Sequence, residues 1–428
     1  METYGYVLNI AMPIFLILFF IEVFVSWQMG RQVIRGMDSI SSITSGITNV
    51  VKDVLGISIG IIAYSWLVDK VALFEIKNTI AVYIIAFIAT DLAGYWSHRL
   101  NHEINFLWNH HVIHHSSEEF NLSCALRQSV STFVNYFTIL LLPAAILGVP
   151  AQVIAVIAPL HLFLQYWYHT QLIHKMGFLE YILVTPSHHR VHHAMNKEYI
   201  DKNHSQIFII WDKLFGTFQA ELPNVKIVYG VTRPARTWNP IKINFQHIWL
   251  LIQDAWRTRS WRDKARIWFM PTGWRPADVI EKYPLHSIKD VYNFEKYDTP
   301  HSKALLIWSW IQLYFNYILL IYFFAYIGNI GSPRIFLYGA FIFLCVFAYT
   351  ELMDRNKYAL YIELAKSIFG LYLIYSMGDW FGASETIVPW LTWLVAGYLV
   401  VSAVVVILFV IFEISKDGKE KNAEMAVA

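Results

Sequence analysis

Cysteine is scarce in this chain: Cys124 and Cys345 are the only two among 428 residues. Two thiols in apolar surroundings exclude a disulfide framework or a thiolate zinc site as the organising feature. Charge is scarce too. Asp, Glu, Lys and Arg make up 15% of the residues, where a soluble domain carries about a quarter. The 33 basic and 31 acidic residues nearly cancel to a net charge of +2, which gives no reason to invoke nucleic acid. The chain also lacks an internal repeat, a low-complexity tract and the H-E-x-x-H zinc protease signature. No basic stretch precedes the first apolar block, which starts near Tyr6 and is too long for a signal peptide; it reads as a retained membrane helix.

What the chain has instead is apolar bulk, 56% hydrophobic and 17% aromatic, gathered into blocks of about 20 residues. That is the length a helix needs to cross a hydrocarbon core of about 30 Å. The expected fold is all-α: a polytopic membrane helical bundle of about nine segments, at 6–27, 54–74, 78–97, 131–149, 151–169, 305–327, 335–350, 358–377 and 387–412. Pro143, Gly148 and Pro150 make the fourth and fifth segments a tight hairpin, either crossing or only dipping into the membrane. Residues 1–77 are read as N-terminal membrane helices and 78–220 as a core. Residues 221–304 form a cytosolic cap, and 305–428 the C-terminal membrane helices and tail.

Basic residues set the orientation. Arg31, Arg35, Lys52, the Lys/Arg-rich stretch 170–304, Arg355, Lys357, Lys416, Lys419 and Lys421 all face the cytoplasm if the amino terminus lies outside. Lys70, Lys77 and Arg334 then fall on the far side. The membrane would be the endoplasmic reticulum in a eukaryote or the inner membrane in a bacterium. Trp249, Trp256, Arg257, Arg259, Trp261 and Arg262 suit the headgroup zone, where indoles and cations sit together, and equally an ordinary amphipathic surface helix.

Three histidine clusters carry the chemistry: His98-Arg-Leu-Asn-His102, His110-His111-Val-Ile-His114-His115 and His188-His189-Arg-Val-His192-His193. Spacings of three and four put side chains on one helical face, with Cβ atoms about 5–6 Å apart, so neighbouring imidazoles can share an ion. One such pair is ordinary on any helix. Here eleven of the seventeen histidines lie between His98 and His193 in or beside these motifs, with His169 counted. The hairpin returns the third cluster to the membrane face of the first two. Eight or more imidazoles exceed one ion's needs, so two ions are expected. Imidazole suits Zn, Cu, Fe and Ni; a site beside the bilayer fits iron activating O2 against a lipid, and zinc accepts the same donors.

In this order the motifs resemble the fatty acid hydroxylase/sterol desaturase superfamily of membrane di-iron oxygenases, over roughly residues 80–220. The resemblance implies His98, His102, His111, His114, His115, His189, His192 and His193 as ligands, with His169 a ninth and His188 a further candidate. Gln165 would orient His169, and His110 would sit outside the ligand set. His161 and His174 receive no role. Within the superfamily the chain is most similar to the alkylglycerol monooxygenase branch. His114-His-Ser-Ser-Glu-Glu-Phe-Asn-Leu-Ser123, Ala125-Leu-Arg-Gln-Ser129, Asp201-Lys-Asn203 and Ile210-Trp-Asp-Lys-Leu-Phe-Gly-Thr-Phe218 carry the likeness. Tyr229-Gly-Val-Thr, Asn239-Pro-Ile-Lys, Gly273-Trp-Arg-Pro276 and the apolar segments after 304 extend it. The implied activity is oxygenation of the ether carbon of an alkylglycerol, giving a hemiacetal that falls to aldehyde and glycerol. Tetrahydrobiopterin would supply the electrons; a redox protein is the other donor class.

Five residues beyond the histidines are candidates. Glu103 and Glu118 would accept imidazole N–H groups. Asp91 is costly near the end of an apolar helix unless it faces the site. Asn121 and Arg127 would contact the lipid headgroup, while Asp201 and Lys202 would tie the cap together. The rival enzyme reading is a fatty acyl, sterol or carotenoid hydroxylase or desaturase. The rival class is a histidine-rich metal transporter, which would place its ligands at mid-membrane depth in broken helices.

Overall fold

The computed structural model describes residues 2–76 and 79–415. Lys77, Lys416, Lys419 and Lys421, and the expected boundary between residues 77 and 78, lie outside the described residues. The fold is helical, with one two-residue parallel ladder pairing β1 (Ile59–Gly60) and β2 (Val134–Asn135).

Among the described residues, six helices are long and apolar enough to cross a membrane. They are α1 (Glu2–Gln28), α3 (Ile80–Glu103), α8 (Lys303–Ala325), α9 (Arg334–Met353), α10 (Ala359–Met377) and α11 (Leu391–Phe409, continuing to Ile414). The chain is an integral membrane protein. Three expected segments contain no helix of that length. In 54–74 the chain pairs as β1 and then makes only Tyr64–Val71; in 131–149 it makes β2 and the short turns Phe137–Leu140 and Leu142–Ile146. In 151–169 it makes α5 (Ala151–Phe163), 13 residues, or about 20 Å at 1.5 Å per residue, too short to span. The hairpin therefore holds no helix long enough to span a membrane by itself. Some of its apolar side chains pack inward, Leu141, Ala144, Val153 and Ile157 closing on Val82, Ala86 and Ala93 of α3, while Leu147, Val156, Leu160 and Leu162 stay exposed. At Gly148, φ +81° and a carbonyl (Phe74) 1.9 Å from where a Cβ would lie leave room for glycine alone.

A helix that hydropathy does not flag does part of the work assigned to 54–74. This is α2 (Gly36–Val54), with Asp, Ser and Thr along much of its length, yet buried on most positions. It runs from the level of Leu306, beside Gly36, to that of Gly339, beside Val51 and Leu55. Its polar groups are matched one by one: Ser41 donates to Trp238 O (2.7 Å), Ser45 to Gln128 O (2.9 Å), and Thr44 meets the Tyr349 hydroxyl (2.6 Å). A buried hydroxyl with a partner costs little, so a polar helix stands inside an apolar bundle. Its Ile and Val side chains join Phe19 of α1 and the core of α8, α9 and α11.

The stretch between α5 and α8 folds over one end of the bundle. The ends of several helices meet it there: Arg35 at the head of α2 donates to Tyr297 O (3.0 Å), Asp354 after α9 accepts from Trp238 N (2.7 Å), and Ser302 N donates to Glu413 (3.1 Å). Within this stretch α7 (Pro240–Arg257) is capped by Asn239, whose side chain accepts from Ile241 N and Lys242 N. Trp256 and Trp261 are more than four-fifths exposed and Phe269 about three-quarters.

Candidate metal centre

Four segments deliver the histidines. The last turns of α3 carry His98 and His102, four apart and on one face. The single turn α4 (Val112–His115) carries His114 and His115, with His111 at its head. The chain beyond α5 supplies His169, and α6 (Pro186–His192) supplies His189 and His192, with His193 at its end. Successive residues on a helix point about 100° apart, so each His-His doublet splits. His115 and His192 join His98, His102 and His111; His114 and His193 join His169 and His189. Within each group one ring nitrogen per residue lies within 4.8 Å of all the others, an arrangement able to hold a metal ion. The groups share a wall, where the rings of His115 and His193 stack at 4.4 Å.

The inward nitrogens crowd closely. His98 Nε2 is 2.8 Å from His111 Nε2, and His115 Nε2 is 3.1 Å from both His102 and His111. In the second group His189 Nε2 is 2.8 Å from His169 and 3.0 Å from His193, and His169 is 3.3 Å from His114. The outward nitrogens explain how. Nδ1–H of His98 donates to His204 O (2.7 Å), of His192 to Lys202 O (2.9 Å), of His114 to Arg127 O (3.2 Å) and of His169 to Gln165 O (3.0 Å). A carbonyl only accepts, so each of these protons is fixed on Nδ1 and each Nε2 presents a lone pair inward. His102 Nδ1 faces Asp201 Oδ1 at 3.3 Å.

Burial keeps these rings neutral. It pushes His111, His115, His169, His189, His192 and His193 well below the usual histidine range, with mutual repulsion adding to it, and brings His114 to about 3. Neutral imidazoles with converging lone pairs repel one another unless a cation sits between them.

One expected histidine stands apart. His188 faces away, its Nδ1 3.4 Å from Thr185 N and Oγ1 in the capping box of α6, and its ring lies edge-on to Phe218. The other candidates are elsewhere as well. Glu103 pairs with Arg99 (2.8 Å) at the surface. Glu118 accepts from Tyr297 N (2.5 Å), and burial raises its carboxyl to about 7. Asp91 is fully buried, but it accepts from Ile207 N, Phe208 N, the Trp211 indole and His161, not from the site rings. Asn121 is spent on Val33 O and Ser123. Arg127 is paired with Asp38 and touches the centre through its carbonyl only. Main-chain oxygens thus do the orienting expected of Glu103 and Glu118, because the loops run directly behind the rings. His174 meets Arg31 (3.2 Å), away from both groups.

The loop 201–204, where Asp201 and Lys202 are expected to tie the cap together, also backs the site rings. Asp201 and Asn203 both adopt positive φ, 56° and 57°, an uncommon state for non-glycine residues. The bend is held by the Asn203 amide on His188 O and Gln219 O, and it serves both His98 and His192. His204 is itself buried, its ring 5.0 Å from that of His102.

The fatty acid hydroxylase family model matches residues 83–217, the segment that holds every one of these rings. The alkylglycerol monooxygenase of Homo sapiens is 35% identical over 85% of this chain and 81% of its own length. The Danio rerio enzyme of that name is 31% identical over 92% and 87%, and the Xenopus tropicalis one 31% over 84% and 80%. The chain belongs to the alkylglycerol monooxygenase family. No solved structure matches it. For this family member, a fatty acid hydroxylase core surrounded by membrane helices makes the chain a lipid monooxygenase.

Proposed function

We propose that the chain is a di-iron oxygenase that places one oxygen atom on the carbon next to the ether oxygen of an alkylglycerol-type lipid. The product, a hemiacetal, falls to aldehyde and glycerol. The observation that carries this reading is the convergence of nine neutral imidazoles into two adjoining groups. Their donor set fits metal: Nε2 of His192 is buried without a hydrogen-bond partner among the described residues. The two groups offer five and four imidazoles, donors that suit iron as well as zinc. His98, His102, His111, His115 and His192 would hold one ion; His114, His169, His189 and His193 the other. Iron bound there supplies the activation of O2.

The protein's share is positioning and exclusion of water. A cavity of about 410 Å³ runs from Leu8, Met12 and Phe15 of α1 and Ile43 and Ile47 of α2 to His98, His111 and His169. Its apolar arm suits an alkyl chain. Asn49, Asn101 and Gln128 line it as well and offer donors and acceptors for hydroxyls. An ether carbon, at the junction of chain and headgroup, would lie beside the rings. The histidine groups sit at the end of α3 rather than at mid-helix, which argues against a transporter. The end carrying Arg31, Arg35, Arg355 and Lys357 would face the cytoplasm.

Anaerobic purification, iron loading and incubation with O2, a reductant and isotope-labelled alkylglycerol test the reading. Labelled aldehyde and glycerol are expected. An intact ether with a hydroxyl elsewhere on the chain would replace the ether-cleavage reading with ordinary chain hydroxylation.

A further inference from the structure

From sequence alone, the Trp- and Arg-rich stretch after Trp249 suits a headgroup zone or an ordinary surface helix. Its placement separates the two. At about 100° per residue, Phe245, Trp249, Ile252 and Trp256 fall within about 60° of arc on α7. Phe245 is half-buried and the other three are exposed. Ile243, Leu250, Leu251 and Asp254 bury the opposite face. A helix on a water-facing cap turns polar side chains outward; this one turns indoles and an isoleucine outward. The exposed Trp261 is tied to it by Lys264, whose ammonium lies over the Trp261 ring (5.6 Å) and donates to Ala255 O (2.8 Å) and Trp256 O (3.1 Å).

The patch lies level with the end of a membrane helix. Just past α3, Asn105 N donates to Met270 O (3.0 Å) and Phe106 N to Trp268 O (2.9 Å), on either side of the exposed Phe269. On α7, His247 Nε2 donates to Asn105 O (2.9 Å) and Ile248 N to Asn109 Oδ1 (2.9 Å). The carboxylates of this stretch are engaged: Asp254 by Arg275 (2.5 Å), Asp263 by Arg266 (2.6 Å), and Asp278 by Thr258 Oγ1 and Arg259 N (both 3.0 Å). Arg259 and Arg262 are exposed, and their guanidiniums make no ion pair or hydrogen bond among the described residues. The unmatched charge is positive.

We infer that this face docks on the bilayer surface and takes anionic phospholipid headgroups. Trp249, Ile252, Trp256 and Trp261 enter the boundary between headgroups and acyl chains, and Arg259 and Arg262 meet phosphate oxygens. The inference does not depend on the oxygenase reading. It does bear on the centre, because Asn105 and Asn109, held by α7, lead directly into His110–His115. A bilayer grip on α7 steadies the loop that presents His111, His114 and His115.

The test uses the full-length protein with Trp256→Cys carrying a bimane label, in nanodiscs of mixed phosphatidylcholine and phosphatidylglycerol. Cys124 and Cys345 are buried and do not compete for the label. One lipid at a time carries a nitroxide near its headgroup. Nitroxide on phosphatidylglycerol is expected to quench about twice as strongly as on phosphatidylcholine at equal mole fraction, with little quenching by aqueous iodide. The double variant Arg259→Gln/Arg262→Gln should lose that preference, as should wild-type arginines in about 0.5 M salt. A label at Ile252→Cys should report the same from the same face; every side chain replaced is exposed. Equal quenching by the two lipids would overturn the inference. So would quenching by iodide alone, which marks a solvated face, or protection from both quenchers, which marks a face covered by another copy of the chain.

Discussion

Arg127 lies against Asp38, Nη2 to Oδ1 at 2.7 Å, with each side chain 3% exposed. The guanidinium also donates to Ser116 Oγ (2.7 Å) and Ser42 Oγ (2.9 Å), so the cation is fully used inside the protein. Removing one partner of a buried pair costs about 3–5 kcal/mol, mostly because the other charge is stranded. Asp38→Ala is therefore expected to lower the unfolding temperature in detergent markedly. The double variant Asp38→Leu with Arg127→Met should recover most of the loss. Equal melting of Asp38→Ala and wild type would show that the pair does not support the fold.

His188 and His189 are neighbours with different tasks. His188→Ala should cost about 1 kcal/mol, the scale of a lost helix cap, and leave the metal content of the purified protein as it was. His189→Ala should deplete one ion per chain. Elemental analysis of the two variants side by side decides; metal loss from both would mean that His188 is a ligand after all.

The metal-free protein should be acid-sensitive. Free histidine titrates near about 6.5, while in the fold burial holds His114 at about 3 and its neighbours well below their usual range. As pH falls through the ordinary value the unfolded chain takes up protons that the folded chain refuses, so stability declines with falling pH. Each such ring contributes up to about 1.4 kcal/mol per pH unit. Melting curves of chelator-treated protein should shift downward between pH 7.5 and 5, and bound iron should delay the shift. A flat profile would contradict this account.

Met12 lines the apolar arm of the lipid cavity from α1. Met12→Trp should shorten that arm. A drop of about tenfold in kcat/KM for long-chain substrates, or about 1.4 kcal/mol, is expected, with short-chain substrates little affected. Uniform loss across chain lengths would place the alkyl chain elsewhere.

Much of the site was legible because a metal imposes spacing on sequence. His98/His102 and the two His-x-x-His-His runs announce themselves without any structure, and nine of the ten proposed histidines converge. His188 neighbours a motif yet lies in the capping box of its helix, outside both groups. The orienting groups were not legible, since a carbonyl such as Lys202 O leaves no mark in side-chain identity. Asp91 is costly in an apolar helix, but its partners are the Ile207 and Phe208 amides, the Trp211 indole and His161 rather than the site rings. Among the helices, α1, α3 and α8–α11 follow from hydropathy. The polar α2 does not, because its burial rests on partners such as Tyr349 and Trp238, far along the chain. The apolar runs at 54–74 and 131–149 form no helix long enough to span, because β1 and β2 draw part of each into a ladder.

The bend at 201–204 gives the centre an asymmetric tolerance to genetic change. Substituting Lys202 or His204 alters a side chain but not the oxygen that steadies His192 or His98. Adding or deleting a single codon there would shift both oxygens together and tilt two rings of the same group. Library designs aimed at altered reactivity can vary Lys202, provided Asp201, Asn203 and the length of the loop are kept.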